Sequence, residues 1–117
     1  MDNFAKRALI VQSAEIYSGN IAISLYNGEK TDIGTVVAQA ADELMNISGV
    51  EASFVICADK NMAHISGRSL GKINVQVILE ALGGGGHLTV AGAQLQDITI
   101  EEAEENLKEA IDNYKQQ

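Results

Sequence analysis

Hydrophobic residues recur at intervals of three and four in several stretches of the chain, and this is the period of amphipathic helices. The longest continuous apolar face belongs to 33–46, which predicts a helix that Thr31 or Asp32 can cap. The opening stretch, about 3–14, is also predicted to be helical, although Ala8–Val11 fits a strand as well.

Two further helices are predicted in the second half of the chain. The stretch from about 75 to 82 has the helical period, and Asn74 is its natural N-cap. The stretch from about 100 to 115 follows Thr99, which has capping-box spacing to Glu102. Acidic residues in the first turn of this last helix also favour the positive end of its dipole.

Strands are predicted between these helices. Alternation over 21–26 is typical of a half-buried strand, whereas 52–58 is apolar throughout and predicts a central strand covered on both faces. A turn at 59–61 makes 62–68 the second arm of a hairpin. A last strand is predicted near 90–96. The resulting order is α-β-α-β-β-α-β-α.

This order predicts an α/β fold: a single domain over residues 1–117, with helices packed on a central mixed β-sheet. Hydrophobic residues make up 46% of the 117 residues and charged residues 21%, which excludes intrinsic disorder. No apolar run is long enough to span a bilayer. The single cysteine, Cys57, excludes an internal disulfide, and its apolar strand predicts an inert core thiol. We therefore expect a cytoplasmic domain without direct membrane contact.

The formal charge of −8 argues against binding to duplex DNA, which requires a cationic surface. The charge is uneven, however, because 97–117 holds seven acidic residues and only two lysines. The middle of the chain, 61–96, carries Arg68 and Lys72 against Glu80. This middle part can therefore receive a small anion.

Four consecutive glycines followed by a histidine form the strongest local motif: Gly83, Gly84, Gly85, Gly86 and His87. Such a run allows a tight turn in which successive N–H groups form a nest for a phosphate oxygen, with the histidine as a further donor. The alternative is a flexible helix-to-strand connection with a surface histidine. The spacing matches neither a P-loop nor a dinucleotide-binding fingerprint.

The predicted strand 62–68 carries the second candidate group. Its alternation places His64, Ser66 and Arg68 on one face, where a hydroxyl and a guanidinium can bind phosphate together. The alternative is an edge strand whose polar face meets solvent. We expect His64 to be packed or solvated rather than a metal ligand, because the chain has no His, Cys or Asp set with ligand spacing.

Together these motifs resemble the DHH-associated domain found at the C-terminus of DHH-family phosphoesterases, in particular the version in bacterial cyclic-di-AMP phosphodiesterases. The resemblance rests on four segments: Ser66-Gly67-Arg68-Ser69, Asn74-Val75-Gln76-Val77, the GGGGH motif, and Thr89-Val90-Ala91-Gly92-Ala93. One departure is Val90-Ala91-Gly92, where many members have Ala-Ala-Gly. The similarity extends from about Ile10 through the last helix.

The resemblance implies that this chain is the C-terminal lobe of a larger phosphoesterase that grips the substrate. A DHH catalytic lobe in the same parent chain would hold manganese and hydrolyse the phosphodiester. Hence this chain is expected to contain no catalytic residue and no metal or other cofactor, and no hydrolysis is expected from it alone. Phosphate or nucleotide contacts are expected at Arg68 and at the glycine run with His87, and secondary contacts at Ser66, Ser69 and Asn74.

The ligand implied is a cyclic dinucleotide or the phosphate of a short oligonucleotide. A related lobe that serves an oligoribonuclease or an adenosine-bisphosphate phosphatase is the first alternative. The second is a stand-alone module that senses a phosphorylated metabolite. The resemblance also implies a membrane-anchored parent with this domain on the cytoplasmic side, and a homodimer is compatible with the sequence.

Overall fold

A computed structural model describes residues 3–27 and 33–117, and within these residues the chain forms four helices and six strands. The helices are α1 Asn3–Gln12, α2 Ile33–Leu44, α3 Val75–Glu80 and α4 Ile100–Lys115. The strands are β1 Glu15–Tyr17, β2 Ile21–Tyr26, β3 Ala52–Asp59, β4 Met62–Ser69, β5 Gly85–Gly86 and β6 Val90–Gln96. No helix in the described segments has both the length and the apolar character that a bilayer span requires.

The six strands form one mixed sheet in the order β1-β2-β3-β4-β6-β5. The β2–β3 pair is parallel and the other pairs are antiparallel, so the predicted α/β fold with a mixed sheet is confirmed. β4 lies between β3 and β6 in the interior of the sheet. The interpretation of 62–68 as an edge strand is therefore wrong, because β6 occupies the position that would have been solvent.

Helices cover the two faces of the sheet unequally. On one face, α3 and α4 pack across the middle of the sheet, with Phe54, Ile65 and Leu107 in their shared core. On the other face, α1 and α2 pack on β2 and β3, with Val37 and Val55 in the second core. The apolar strand 52–58 is thus covered on both faces, as predicted.

The alternation in β2 is not that of a half-buried strand, and this prediction is wrong. Five of its six residues are buried and only Leu25 is partly exposed. Its two side-chain rows enter different cores: Ile21 and Ile23 face α4, and Ala22 and Tyr26 face α1 and α2. Ser24 was misleading as a sign of exposure, because its hydroxyl is satisfied inside the protein and donates to the carbonyl oxygen of Ile10 at 2.6 Å.

A second buried serine fixes the position of α2. The Ser53 hydroxyl donates to the carbonyl oxygen of Ala41 at 2.7 Å and is fully buried. Ser24 does the same for α1, so each helix is tied to the strand beneath it. These two bonds hold α1 and α2 over β2 and β3, at one side of the sheet.

The helix predictions are confirmed, including the opening one. Asn74 accepts from the N–H of Val77 as the cap of α3, and Thr99 and Glu102 form the predicted capping box of α4. α2 ends at Leu44, two residues earlier than predicted, and its proposed caps Thr31 and Asp32 lie outside the described residues. Two short strands, β1 and β5, were not predicted.

Candidate functional site

The half of the sheet that α1 and α2 leave largely uncovered carries the candidate site, and α2 reaches as far as its first strand, β4. β4 alternates strictly between partly exposed and buried residues, with His64, Ser66 and Arg68 on the uncovered side. β6 follows the same pattern, because Ala91 and Ala93 are buried beneath α3 while the residues between them are exposed. We call this uncovered surface of β4, β6 and β5 the open face.

The strand register arranges the open face in rows. Ser66 lies opposite Gly92, and Gly92 lies opposite Gly85, so one row across three strands has almost no side chain. We call this row the trough. The row on one side of it pairs His64 with Gln94. The row on the other side pairs Arg68 with Val90, whose carbonyl oxygen accepts from the N–H of His87 at 2.7 Å.

A cavity of about 800 Å³ opens over the trough, within the ~300–1,000 Å³ typical of ligand pockets. Gly34 and Val37 of α2 form its side, and His64, Ser66 and Gln94 contribute its polar groups. Gly83 and Gly84 also line this cavity. Arg68, Gly85 and His87 do not line it: Gly85 continues the trough beyond Gly92, and Arg68 and His87 belong to the next row.

The glycine run is required by the fold at three of its four positions. Gly83 ends α3 in the left-handed region with φ +87°, and the N–H groups of Gly83 and Gly84 donate to Glu80 and Leu79 in a Schellman motif. A Cβ at Gly84 would collide with the Gly92 carbonyl oxygen and lie 2.6 Å from the Ala93 Cβ. Gly86 has φ +145°, and a Cβ there would lie 2.6 Å from the Ala91 Cα.

The predicted nest of successive N–H groups is not formed, because the N–H groups of Gly83, Gly84 and His87 have backbone acceptors. His87 and Val90 form a hydrogen-bonded pair, so the alternation of an antiparallel ladder directs the N–H of Gly86 away from β6. The glycine segment can therefore offer a ligand the Gly86 N–H and the exposed His87 side chain. The segment is also not merely a connection, since Gly85–Gly86 is a strand.

Arg68 is held in place by α2. Its Nε donates to Asp42 Oδ1 at 2.8 Å and its Nη1 to the Gly67 carbonyl oxygen at 2.8 Å. The Arg68 side chain is only 15% exposed, whereas that of Asp42 is 66% exposed. Two of the five guanidinium N–H groups are used in these bonds, so three are left for an anion. A fixed fork with spare donors suits phosphate binding.

Ser66 joins Arg68 on the open face, but Ser69 and Asn74 do not. The buried Ser69 hydroxyl donates to the Leu88 carbonyl oxygen at 3.1 Å, and the Asn74 side chain caps α3. The Leu88 carbonyl oxygen also accepts from the N–H of Val75. Ser69 and the start of α3 thus support the turn that follows His87, from behind the open face.

The thiol next to the cavity is not a nucleophile. Burial raises the pKa of Cys57 to about 11, although a hydrogen bond to the backbone of His64 opposes this shift. The thiol therefore stays protonated at neutral pH, in agreement with the predicted inert role. The His64 Nε2 lies 4.0 Å from Asp59 Oδ2. Throughout residues 3–27 and 33–117, no three His, Cys, Asp or Glu residues are grouped to hold a metal ion.

Sequence reasoning missed two residues of the site, Asp42 on α2 and Gln94 on the open face. Asp42, which positions Arg68, lies 26 residues away in another element, and only the packing of α2 on the sheet brings them together. Gln94 is opposite His64 only because β6 inserts next to β4. Alternation in 90–96 could have placed Gln94 with Gly92 on one face, but not opposite His64.

A glycine-edged sheet with an arginine fixed on its open face defines an α/β domain that presents a guanidinium and an exposed histidine on one side. The chain belongs to the DHHA1 domain family, which matches residues 12–117. The resemblance to the DHH-associated domain is therefore confirmed.

Curated relatives and a solved structure support this membership. The chain is 54% identical over 114 residues to the cyclic-di-AMP phosphodiesterase PdeA of Listeria monocytogenes, covering 95% of the chain and 17% of the relative. It is 49% identical over 117 residues to the cyclic-di-AMP phosphodiesterase GdpP of Bacillus subtilis, covering 97% and 18%. An exopolyphosphatase-related protein from Bacteroides fragilis superimposes with a TM-score of 0.83 at 25% identity, covering 97% of this chain and 35% of that one. This chain thus spans less than a fifth of the length of either curated relative.

Proposed function

We propose that this domain grips the substrate of a cyclic-di-AMP phosphodiesterase, while a DHH domain of the same parent chain carries manganese and hydrolyses the phosphodiester. The observation that carries the proposal is the open face, where Arg68 is held by Asp42 with donors to spare and shares a row with the exposed His87, on the other side of Val90. The choice of ligand is supported by two cyclic-di-AMP phosphodiesterases, to each of which the chain is about half identical in sequence.

The division of labour follows from the groups that each part contributes. Manganese ions, bound outside this chain, would neutralise the phosphodiester under attack and supply the nucleophilic water. Arg68 is permanently charged and cannot exchange protons at neutral pH, so it suits the phosphate that is not attacked. His87 adds a ring donor in the same row, one strand beyond Val90. Holding the ligand in one register accelerates the reaction through positioning.

The test is an amide NMR titration of this chain with cyclic-di-AMP, which detects millimolar binding. We expect shifts at Arg68, Gly86 and His87, and a loss of affinity of tenfold or more in Arg68→Ala. Lys72→Ala is the matched control, because Lys72 is 84% exposed and its ion pair is with Glu51 rather than on the open face. Equal weakening in both variants would show that only net charge matters, and no shifts on the open face would refute the proposal.

The same substitutions can be made in the parent protein that contains both domains. Arg68→Ala and His87→Ala are each expected to raise KM or lower kcat by tenfold or more, with manganese binding unchanged. Unchanged kinetics in both variants would contradict the proposed role. We place the domain on the cytoplasmic side of a membrane-anchored parent, where its thiol stays reduced.

A further inference from the structure

We propose that the trough seats a nucleobase of the ligand and that Gln94 recognises this base as adenine. The inference rests on the proposed function in one respect, namely that the ligand is a nucleotide. It goes further by placing the base and the phosphate at different rows of the open face. It also gives a role in base recognition to Gln94, a residue that phosphate binding alone would not require.

The floor of the trough is shaped for a flat ligand. A Cβ at Gly85 would meet nothing within 4 Å, and one at Gly92 would meet only the Ile65 carbonyl oxygen, at 3.4 Å. The absence of side chains at these two positions is therefore not demanded by packing. Neither has a φ in the left-handed region, so conformation does not demand glycine either. The missing side chains at Gly85 and Gly92 leave a strip of bare backbone on which a planar ring can lie.

Gln94 is the polar side chain best placed beside this strip. It follows Gly92 on the same face of β6, and within the described part of the chain its amide has no hydrogen-bond partner. Its neighbours are engaged elsewhere: the Gln96 amide donates to Met62 Sδ at 3.0 Å, and the His64 ring lies beside Asp59. The Gln94 amide is thus free to bind the edge of a base.

A glutamine amide distinguishes adenine from related purines. Its oxygen accepts from the 6-amino group of adenine while its nitrogen donates to N7, and a purine with a 6-oxo group offers two acceptors instead. Inosine, which carries that 6-oxo group, is the matched comparison ligand. Since the Gln94 side chain is exposed, we expect discrimination near the lower end for such pairs, about fivefold.

The rows also match the order of groups in a nucleotide. Gln94 and Val90 are four residues apart on β6, which corresponds to roughly 14 Å at ~3.4 Å per residue. A base in the trough beside Gln94 can therefore direct its sugar along β6, across the trough, towards the row of Arg68 and His87. The phosphate then reaches the donors that the proposed function assigns to it.

The experiment separates the two ends of the ligand by titrating this chain with adenosine and, in parallel, with ribose 5-phosphate. We expect adenosine to shift the amide signals of His64, Gly92 and Gln94, and ribose 5-phosphate to shift those of Arg68 and His87. Adenosine without effect in the trough overturns this inference, while shifts by ribose 5-phosphate alone leave the proposed function standing. Shifts by adenosine alone would instead remove the phosphate role, and silence from both refutes both.

One variant and its matched control test whether Gln94 recognises the base. Gln94→Arg places donors opposite the 6-oxo group and N7, so its preference is expected to change from adenosine to inosine. Gln96→Arg adds the same charge two residues away and is expected to keep the preference for adenosine. If both arginine variants behave alike, or if the unmodified chain binds adenosine and inosine equally, Gln94 does not recognise the base.

Gly92→Val fills the trough and is expected to weaken adenosine binding at least fivefold, with ribose 5-phosphate affinity unchanged. Gly92→Ala, whose Cβ has space, serves if the valine variant does not fold. Adenosine affinity unchanged in a folded Gly92 variant overturns the seat in the trough.

Discussion

Alanine substitutions along the glycine run should have different effects at successive positions. At Gly84 the new Cβ would meet the Gly92 carbonyl oxygen and lie 2.6 Å from the Ala93 Cβ, and the backbone atoms of β6 cannot rotate away. Overpacking of this kind costs about 1–3 kcal/mol, and we expect a value at the upper end. At Gly85 the new Cβ meets nothing within 4 Å, and alanine restricts the unfolded chain, which stabilises by about 0.4–1 kcal/mol.

Gly83 is expected to fall between these two. Its Cβ would have open space, but its φ of +87° lies in the left-handed region, where a side chain costs roughly 1–2 kcal/mol. From the most to the least stable, the expected order of the variants is therefore Gly85→Ala, Gly83→Ala and Gly84→Ala. Gly85→Ala and Gly84→Ala differ by about 3.5–4 kcal/mol, which for a chain of this length corresponds to a Tm difference of about 15 °C.

Urea denaturation followed by far-ultraviolet circular dichroism measures the order, with the m-value compared between variants. Equal midpoints for Gly84→Ala and Gly85→Ala, or a lower midpoint for Gly85→Ala, would refute the assignment of Gly84 to close packing. A changed m-value would show that the variant alters the unfolded ensemble instead.

Three other features lead to measurable outcomes. Asp42→Asn keeps an oxygen that accepts from the Arg68 Nε but removes the negative charge beside the guanidinium. Ribose 5-phosphate should then bind up to about fivefold more tightly, because a charge at ~4 Å is worth about 1 kcal/mol in water. Weaker binding of ribose 5-phosphate in an NMR titration would contradict this. Hydrogen bonds from Thr99 lower the pKa of Glu102, so its contribution to stability is present above the ordinary pKa of a glutamate and is lost as the pH falls through the lowered value. Glu102→Gln should accordingly flatten the decline of the urea midpoint at acidic pH, and an unchanged decline would exclude the box as its cause. Burial holds the pKa of Cys57 at about 11, so a disulfide reagent at about pH 8 should label the thiol only in denaturing urea, and rapid labelling of the native protein would refute the burial.

Local patterns predicted most of the elements because their causes are local. The apolar period defined α2 and α4, and Asn74 and Thr99 placed the starts of α3 and α4 within a residue. β1 and β5 were missed for a physical reason as well. They are three and two residues long, and β5 consists of glycines, so no side chain marks it as a strand and only pairing with β6 makes it one.

The arrangement of the site depended on non-local packing, and the sequence could place its residues only in part. Alternation put Ser66 and Arg68 on one face correctly, since that rule needs only the strand itself. It could not show that β6 lies beside β4, and so Ser66 was not placed opposite Gly92. The nest was predicted wrongly because the acceptors of the glycine N–H groups come from α3 and from the residues after the turn.

The half-covered sheet also separates the residues that keep the domain folded from those that face a ligand. Phe54, Ile65 and Leu107 bury their side chains on the side of α3 and α4, whereas Ser66 and Gln94 project from the other side. Random substitution on the open face should therefore be tolerated far more often than substitution in the core. A lineage that inherits this domain can alter what it binds without first acquiring compensating stability.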